Sequence, residues 1–238
     1  PGPELGFFNL AVFYKACSFN CLFCQNWHFK EQTWLQPPVS AAELAAAAGP
    51  KTTCICYFGG DPSPQIVHSL AAARLAREAK GDDCLRICWE TNGSFNPKYL
   101  DQMIDLALES GGCLKFDLKA FSPGLHRALC GVGNDRTLAN FAAAARHFER
   151  RPQPPLLVAA TLLVPGYVTP EEVGLVARFM AKLNPDIPYA LLAFHPDFYL
   201  DDLPTTSRQH AQEALEAAKK EGLSRVRLGN VHLLGRDY

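Results

Sequence analysis

Phe7-Phe8-Asn9-Leu10-Ala11-Val12-Phe13-Tyr14-Lys15-Ala16-Cys17-Ser18-Phe19-Asn20-Cys21-Leu22-Phe23-Cys24 is an apolar run of strand length that passes straight into three closely spaced cysteines. Parallel α/β barrels keep their chemistry at the C-terminal ends of the strands, so this stretch reads as a first strand feeding a functional loop. The same order recurs outward along the chain. Cys54-Ile55-Cys56-Tyr57-Phe58 runs into Gly59-Gly60-Asp61-Pro62, and Leu85 to Trp89 runs into Glu90-Thr91-Asn92-Gly93. Cys113 to Leu118 carries Asp117 and Lys119 at its end, Leu156 to Val164 ends at Pro165-Gly166, and Tyr189 to Phe194 ends at His195. Helical patterns lie between these runs. Ser40 caps 41–48, and Pro64 to Lys80 carries Ile66, Val67, Leu70, Ala73 and Leu75 at helical spacing. Pro97 to Ser110, Asn134 to Arg150, Thr169 to Leu183, and Thr206 or Ser207 to Glu221 follow.

Strands alternating with helices predict a parallel sheet. Six such units fit the 238 residues, whereas a closed eight-fold barrel takes about 250. The expected fold is therefore α/β: a partial (β/α)6 TIM-like barrel of parallel strands, open on one side, with Arg225 to Leu228 as a further short strand candidate. One domain is expected over 1–238, with a core from about 7 to 200 and a C-terminal helix and strand in 201–238. Arg151-Pro152-Gln153-Pro154-Pro155 reads as a helix-to-strand turn, not a linker. The start at Pro1 in place of Met raises the expectation of a missing N-terminal segment.

Hydrophobic residues make up 48% of the chain and the formal net charge is −1. Runs of Lys or Arg never exceed two, so a nucleic-acid-binding face is not indicated. No apolar stretch reaches the roughly 18 residues of a membrane span. Nine cysteines, an odd number without a signal-peptide pattern, argue against a secreted disulfide framework. Cys54, Cys56, Cys84, Cys88, Cys113 and Cys130 read as reduced core thiols of a cytoplasmic protein.

The remaining three, Cys17, Cys21 and Cys24, are spaced C-x3-C-x2-C. An iron–sulfur cube normally takes four thiolates, and this segment supplies three. A structural zinc ion also wants four ligands, which His28 could complete as a Cys3His site. Three thiolates on a cube leave one iron open to a ligand from outside the protein.

Cys17, Cys21, Phe23, Cys24 and Gln25-Asn26 are followed by Gly59-Gly60-Asp61-Pro62, Thr91-Asn92-Gly93, Asp117-Leu118-Lys119, Val164-Pro165-Gly166 and Ala193-Phe194-His195. In that order they resemble the radical S-adenosylmethionine (SAM) superfamily over nearly the whole chain. Within it the chain is most similar to the pyruvate formate-lyase activating enzyme and activating-enzyme-like proteins. The resemblance implies a [4Fe–4S] cluster on Cys17, Cys21 and Cys24, with SAM on the open iron. It implies that Phe23 lies against the adenine, and that Gly59 and Gly60 free the backbone to bond the methionyl amine. Asp61 stands where much of the superfamily has Glu. Asn92, Asp117, Lys119 and His195 are implied along the ribose and methionine side, Lys119 as a cation for the SAM carboxylate. A monovalent-cation site is implied at Glu90, Thr91 and Asp117, with Glu90 in place of the family's usual Asp.

The implied activity is that of an oxidoreductase of anaerobic metabolism. The reduced cluster gives one electron to SAM, which cleaves to methionine and a 5′-deoxyadenosyl radical, and the radical takes a hydrogen atom from a substrate. For an activase the substrate is a peptide or protein glycine. A small molecule or cofactor precursor is the second reading, and an iron–sulfur or zinc protein that carries electrons or holds a partner is the third. A flavodoxin or ferredoxin is the implied reductant. No further cysteine motif announces a second cluster. Trp27, His28 and Trp34, and the loop His195-Pro196-Asp197-Phe198-Tyr199 with Asp201-Asp202, are candidate substrate contacts. Gly229-Asn230-Val231-His232 marks a distinctive tail.

Overall fold

The computed structural model describes residues 4–32 and 37–236; Trp34 lies outside them. Among the described residues one sheet carries seven strands in chain order: β1 (Phe8–Phe13), β2 (Thr52–Gly59), β3 (Arg86–Thr91), β4 (Leu114–Asp117), β5 (Leu157–Leu163), β6 (Tyr189–Ala193) and β7 (Val226–Gly229). β1 and β7 are its ends, so the sheet is not closed. The helices are α1 (Phe29–Gln32), α2 (Ala41–Ala46), α3 (Ile66–Lys80), α4 (Leu100–Ser110), α5 (Pro123–Cys130), α6 (Asp135–Ala145), α7 (Pro170–Leu183) and α8 (Arg208–Lys220). This is the expected α/β class, a partial TIM-like barrel. The short strand candidate is β7, which pairs with β6 in parallel through Ala190↔Arg227 and Leu191↔Leu228. Among the described residues no helix is long and apolar enough to cross a membrane.

Two compact units divide the chain. The first comprises Pro1–Ser18, Asn26–Thr91 and Phe95–Lys115; the second comprises Phe19–Gln25, Asn92–Ser94 and Phe116–Tyr238. In the first unit β1, β2 and β3 pair in parallel, with Cys56 beside Cys88 and Tyr57 beside Trp89. Side chains alternate faces along a strand, and here the alternation is sharp. Ile55, Tyr57, Ile87 and Trp89 are fully buried, and burial of an aliphatic side chain of this size contributes about 1.5–3 kcal/mol. That face packs on α3: the Tyr57 hydroxyl donates to the Ser69 carbonyl at 2.8 Å, and the Trp89 indole N–H to Ser69 Oγ at 3.2 Å. Cys54, Cys56, Cys88 and Glu90 occupy the opposite face. Ser40 and Glu43 form a reciprocal capping box at α2, the start expected from the sequence.

In the second unit β5, β6 and β7 continue the sheet in parallel. Its core holds Phe116, Phe141, Phe148, Leu163, Val173 and Phe194, each at most 1% exposed. A buried polar chain crosses it. Tyr189 donates to Thr161 Oγ1 at 2.7 Å, and Thr161 Oγ1 donates to the Leu118 carbonyl at 2.6 Å. Each buried hydroxyl thus has a partner, without which it would cost about 1–3 kcal/mol.

Two sequence expectations need correction. Of the six cysteines expected in the core, only Cys56 and Cys130 are buried; Cys54, Cys88 and Cys113 are partly buried, and Cys84 is exposed, because it sits in the loop ahead of β3. Residues 123–130, left without an element by the sequence reading, form α5, which begins at Pro123 and ends on the left-handed Gly131.

Candidate active site

In the first unit the strand ends after β1 and β2 are joined by backbone bonds. Tyr14 N–H donates to the Gly59 carbonyl at 2.9 Å, and Asp61 N–H to the Ala16 carbonyl at 2.8 Å. Gly60 has φ +57°, and a Cβ there would lie 1.9 Å from the Tyr14 carbonyl oxygen. A Cβ on Gly59 would enter the Phe13 ring at 1.8 Å. Both glycines are therefore demanded by close approach, and they hold the chain that leads into Cys17. Asp61 is 3% exposed. Its Oδ1 accepts from Ser63 N–H at 2.6 Å, and Thr91 Oγ1 lies 3.3 and 3.4 Å from its two oxygens. The Asp61 carboxylate thus organises its own loop.

Glu90 and Thr91 are consecutive on β3 and face opposite sides: Thr91 is 1% exposed, while Glu90 is half-buried on the other face. Glu90 pairs with Lys115 at 2.6 Å, and Thr91 lies 3.1 Å from Ser63 Oγ. Consecutive strand residues do not aim their side chains at one ion, so β3 presents one of the two to any single cation.

In the second unit the cysteine loop rests on α5. Asn20 N–H donates to the Cys130 carbonyl and Leu22 N–H to the Leu129 carbonyl, each at 2.9 Å. These are carbonyls that a helix C-terminus leaves without partners. Tyr199 N–H, from the loop after β6, donates to the Leu22 carbonyl at 2.9 Å. The Cys21 thiol bonds the buried Cys130 sulfur, and that bond, then burial, pushes Cys21 above the usual thiol range. Phe19 packs edge-on against His126, with ring centroids 5.1 Å apart.

Beside this loop Lys119 Nζ pairs with Asp117 Oδ2 at 2.9 Å and stands 5.8 Å from the centre of the Phe23 ring. Phe23 is 3% exposed. Burial works against the Lys119 charge, but the attraction of Asp117, followed by that of Cys21, outweighs it and holds the ammonium above its ordinary range. The site therefore keeps a fixed positive charge next to a cysteine of the loop. Asn92 is buried and accepts from Ser94 N–H at 2.8 Å, while Thr137 Oγ1 donates to the Asn92 carbonyl at 2.7 Å. Gly93, at φ +74°, meets the Phe116 ring, where a Cβ would stand 2.6 Å away. His195 is exposed just past β6. Trp27 and His28, in the first unit, lie ring to ring, tilted by 33° with centroids 3.8 Å apart.

Among the described residues no three His, Cys, Asp or Glu side chains are gathered to hold a metal ion. Geometry alone thus leaves the cluster and the Cys3His zinc site level. Residues 11–180 match the Radical SAM superfamily. The chain belongs to that superfamily.

As a radical SAM chain it is similar to the isethionate sulfite-lyase activating enzyme of Oleidesulfovibrio alaskensis, with 28% identity over 142 residues, 59% of this chain and 41% of the relative. It is also similar to the pyruvate formate-lyase 1-activating enzyme of Escherichia coli K12, with 28% identity over 143 residues, 58% of this chain and 54% of the relative. The chain thus spans about half the length, or less, of these curated relatives. The fold matches that of Streptococcus suis SuiB bound to S-adenosylmethionine, with a TM-score of 0.67 and 12% identity, over 95% of this chain and 51% of that one. Superfamily membership implies SAM and a [4Fe–4S] cluster as cofactors.

Sequence reasoning missed α5 and with it Cys130, His126 and the carbonyls that pin the loop. The signals were present: Ser122-Pro123 is a helix start and Gly131 a helix stop. It also missed Glu172 of α7, whose carboxylate accepts from Phe121 N–H, Ser122 N–H and Ser122 Oγ at 2.6–2.7 Å. Thr169-Pro170-Glu171-Glu172 marks that residue only as part of the start of α7; the fold turns its carboxylate to the N-terminus of α5 instead.

Proposed function

We propose that this chain is the catalytic core of a radical SAM enzyme that carries one [4Fe–4S] cluster on Cys17, Cys21 and Cys24 and removes a hydrogen atom from a peptide or protein glycine. The donor set suits the group: three thiols lie within eight residues, on a loop whose amides are already tied down. The observation that carries the reading is the Lys119–Asp117 pair at 2.9 Å, set against Phe23 and Cys21 of that loop. When bound, the cluster and SAM supply one-electron cleavage of a carbon–sulfur bond and the resulting 5′-deoxyadenosyl radical.

The chain's own residues bind and orient. Lys119 offers its ammonium to a carboxylate, and Asp117 holds that ammonium in place. Buried Phe23 offers a ring face to the adenine. Gly59 and Gly60 keep the backbone bare of side chains where the methionyl amine is bonded, with Asp61 shaping the turn. Asn92 and His195 are assigned to the ribose and methionine side. Lys115 already neutralises Glu90, so the positive charge expected there from a monovalent cation is assigned to Lys115. The family match runs from residue 11 to 180 through both units, which supports one radical SAM domain. The activating-enzyme relatives support the glycine substrate. A flavodoxin or ferredoxin is the proposed reductant, and the nine free cysteines suit a reducing, cytoplasmic setting.

The test is anaerobic reconstitution with iron and sulfide, reduction with dithionite in the presence of SAM, and quantification of 5′-deoxyadenosine. Cleavage is expected from the wild-type chain and not from Cys17→Ala, Cys21→Ala or Cys24→Ala. A fully loaded, reduced protein that yields none refutes the reading. A glycine peptide deuterated at Cα should pass deuterium into 5′-deoxyadenosine; transfer only from small molecules would reassign the substrate class.

A further inference from the structure

Four cysteines that the proposed chemistry does not use lie together in the first unit. Cys54 and Cys56 on β2, Cys88 on β3, and Cys113 just ahead of β4 share the sheet face that α3 does not cover. A closed barrel fills its inner face with bulky branched residues; these strands present thiols instead, with the Glu90–Lys115 pair above them. Cys54 Sγ and Cys88 Sγ are 3.7 Å apart, and the Cys113 thiol also bonds Cys88. Closing 3.7 Å to the about 2.05 Å of an S–S bond draws β2 and β3 along each other, because Cys54 stands two residues off Cys88 in the parallel register. Cys54, Cys88 and Cys113 are each partly buried, whereas Cys56 is buried.

We propose that Cys88 is a reactive thiol and Cys54 its resolving partner, and that the two form a reversible disulfide by exchange with a small organic disulfide. Cys88 thiolate attacks one sulfur of the organic disulfide, giving a mixed disulfide on Cys88 and releasing one thiolate. Cys54 then attacks the Cys88 sulfur, and its proton and the leaving group depart as a second free thiol. Two protein thiols are oxidised and one organic disulfide is reduced to two thiols, so two electrons balance.

The electrostatics agree with these roles. Hydrogen bonds from Cys113 and then Cys54 hold Cys88 well below the usual thiol range, against the effect of burial. Its bond to Cys88, followed by burial, holds Cys54 protonated. The thiolate is the attacking species, and Cys88 is the sulfur that both the Cys54 and the Cys113 thiols reach, the place in the group where two donors favour a thiolate. Cys56 is the internal comparison. Burial, followed by the Glu90 charge, pushes it up to about 12, so it stays a thiol at neutral pH. Disulfides of reducing compartments are transient and tied to redox sensing or catalysis; a partly buried pair within 3.7 Å suits that use. Nothing in this assignment depends on the cysteine loop or on SAM.

The experiment uses the full chain bearing Cys84→Ser, which silences the exposed thiol, with and without iron–sulfur reconstitution. The protein is treated anaerobically with oxidised glutathione, quenched by alkylation, digested with trypsin without reduction, and read by mass spectrometry. A cross-link between the peptides 52–74 and 87–98 is expected, reversible by dithiothreitol. It should survive Cys56→Ser. Cys54→Ser should stop at glutathione on Cys88, and Cys88→Ser should show neither product. In the native chain Cys88 should be alkylated at least about ten times faster than Cys56, a readout that needs no variant to fold. A cross-link that survives Cys54→Ser, a product joining Cys88 to Cys113, or equal labelling of Cys88 and Cys56 overturns the proposal. Loss of 5′-deoxyadenosine formation with the cross-link intact would strike the proposed function and leave this site standing.

Discussion

At Gly60 backbone conformation and crowding act together. Its φ is +57°, and the space a Cβ needs is filled by the carbonyl oxygens of Tyr14 at 1.9 Å and Ala16 at 2.7 Å. An L-residue in the left-handed region costs about 1–2 kcal/mol by itself, and here main chain on the way to Cys17 must move as well. Gly60→Ala is therefore expected to lower the melting temperature by roughly 4 °C or more, followed by circular dichroism. Gly124→Ala in α5 is the matched comparison: nothing lies within 4 Å of its Cβ, and alanine is the better helix former by about 1 kcal/mol. Its melting temperature should hold or rise. Equal effects of the two substitutions would show that the loop gives way without strain. The glycine pair was legible in the sequence as a strand-end turn. The employment of Asp61 was not, because bonds to Ser63 and Thr91 depend on where β3 ends, and no local pattern encodes that.

Among the elements, α5 governs the cysteine loop, and Glu172 governs α5. The Glu172 carboxylate receives three donors at the N-terminus of α5, where a negative charge also meets the helix dipole. Leu129 and Cys130 at the other end take the loop amides. Glu172→Gln removes the charge and keeps the shape. We expect a loss of about 1–2 kcal/mol in urea unfolding together with less iron retained per chain after reconstitution. Lost stability with full iron loading would uncouple the helix from the loop. His126, on the same helix, adds a pH dependence. Burial holds its imidazole below the usual 6.5 and outweighs the opposing bond to the Val132 carbonyl; Lys119 also lowers it, and Asp135 raises it. A depressed histidine stabilises the fold fully above its unfolded value and loses that contribution as pH falls through the folded one. Stability should thus decline between pH 6.5 and lower values, and His126→Leu should flatten that slope in urea titrations. An identical slope would assign the acid sensitivity elsewhere. The eight residues of α5 carried cap signals but too short an apolar stripe to stand out. The amphipathic helices α3, α4, α6, α7 and α8 were readable because their stripes run longer, and the short alanine-rich α2 because Ser40 and Glu43 mark its start.

For the whole molecule the strand-then-helix alternation was enough to foresee an open parallel sheet, since each apolar run ended in a polar or glycine loop. The superfamily was foreseeable only from Cys17, Cys21 and Cys24 taken together with the strand-end motifs that follow in order, because the spacing alone also admitted a zinc site. The mutual proximity of Cys54, Cys88 and Cys113 was not readable, because parallel register between strands more than twenty residues apart is set by packing on α3. An open sheet also has edges. β1 is one of them, and Phe8 and Phe13 on it are 64% and 54% exposed, with Leu5 and Phe7 just ahead at 87% and 51%. A long apolar edge with unpaired backbone groups is a template for association. Natural edges are blunted by a charge, most often lysine. Phe8→Lys is therefore expected to reduce concentration-dependent light scattering while shifting unfolding by no more than about 0.5 kcal/mol, since the ring is mostly in solvent. If scattering persists unchanged, association runs through another surface; if stability falls by several kcal/mol, the ring is held by contacts that its exposure does not show.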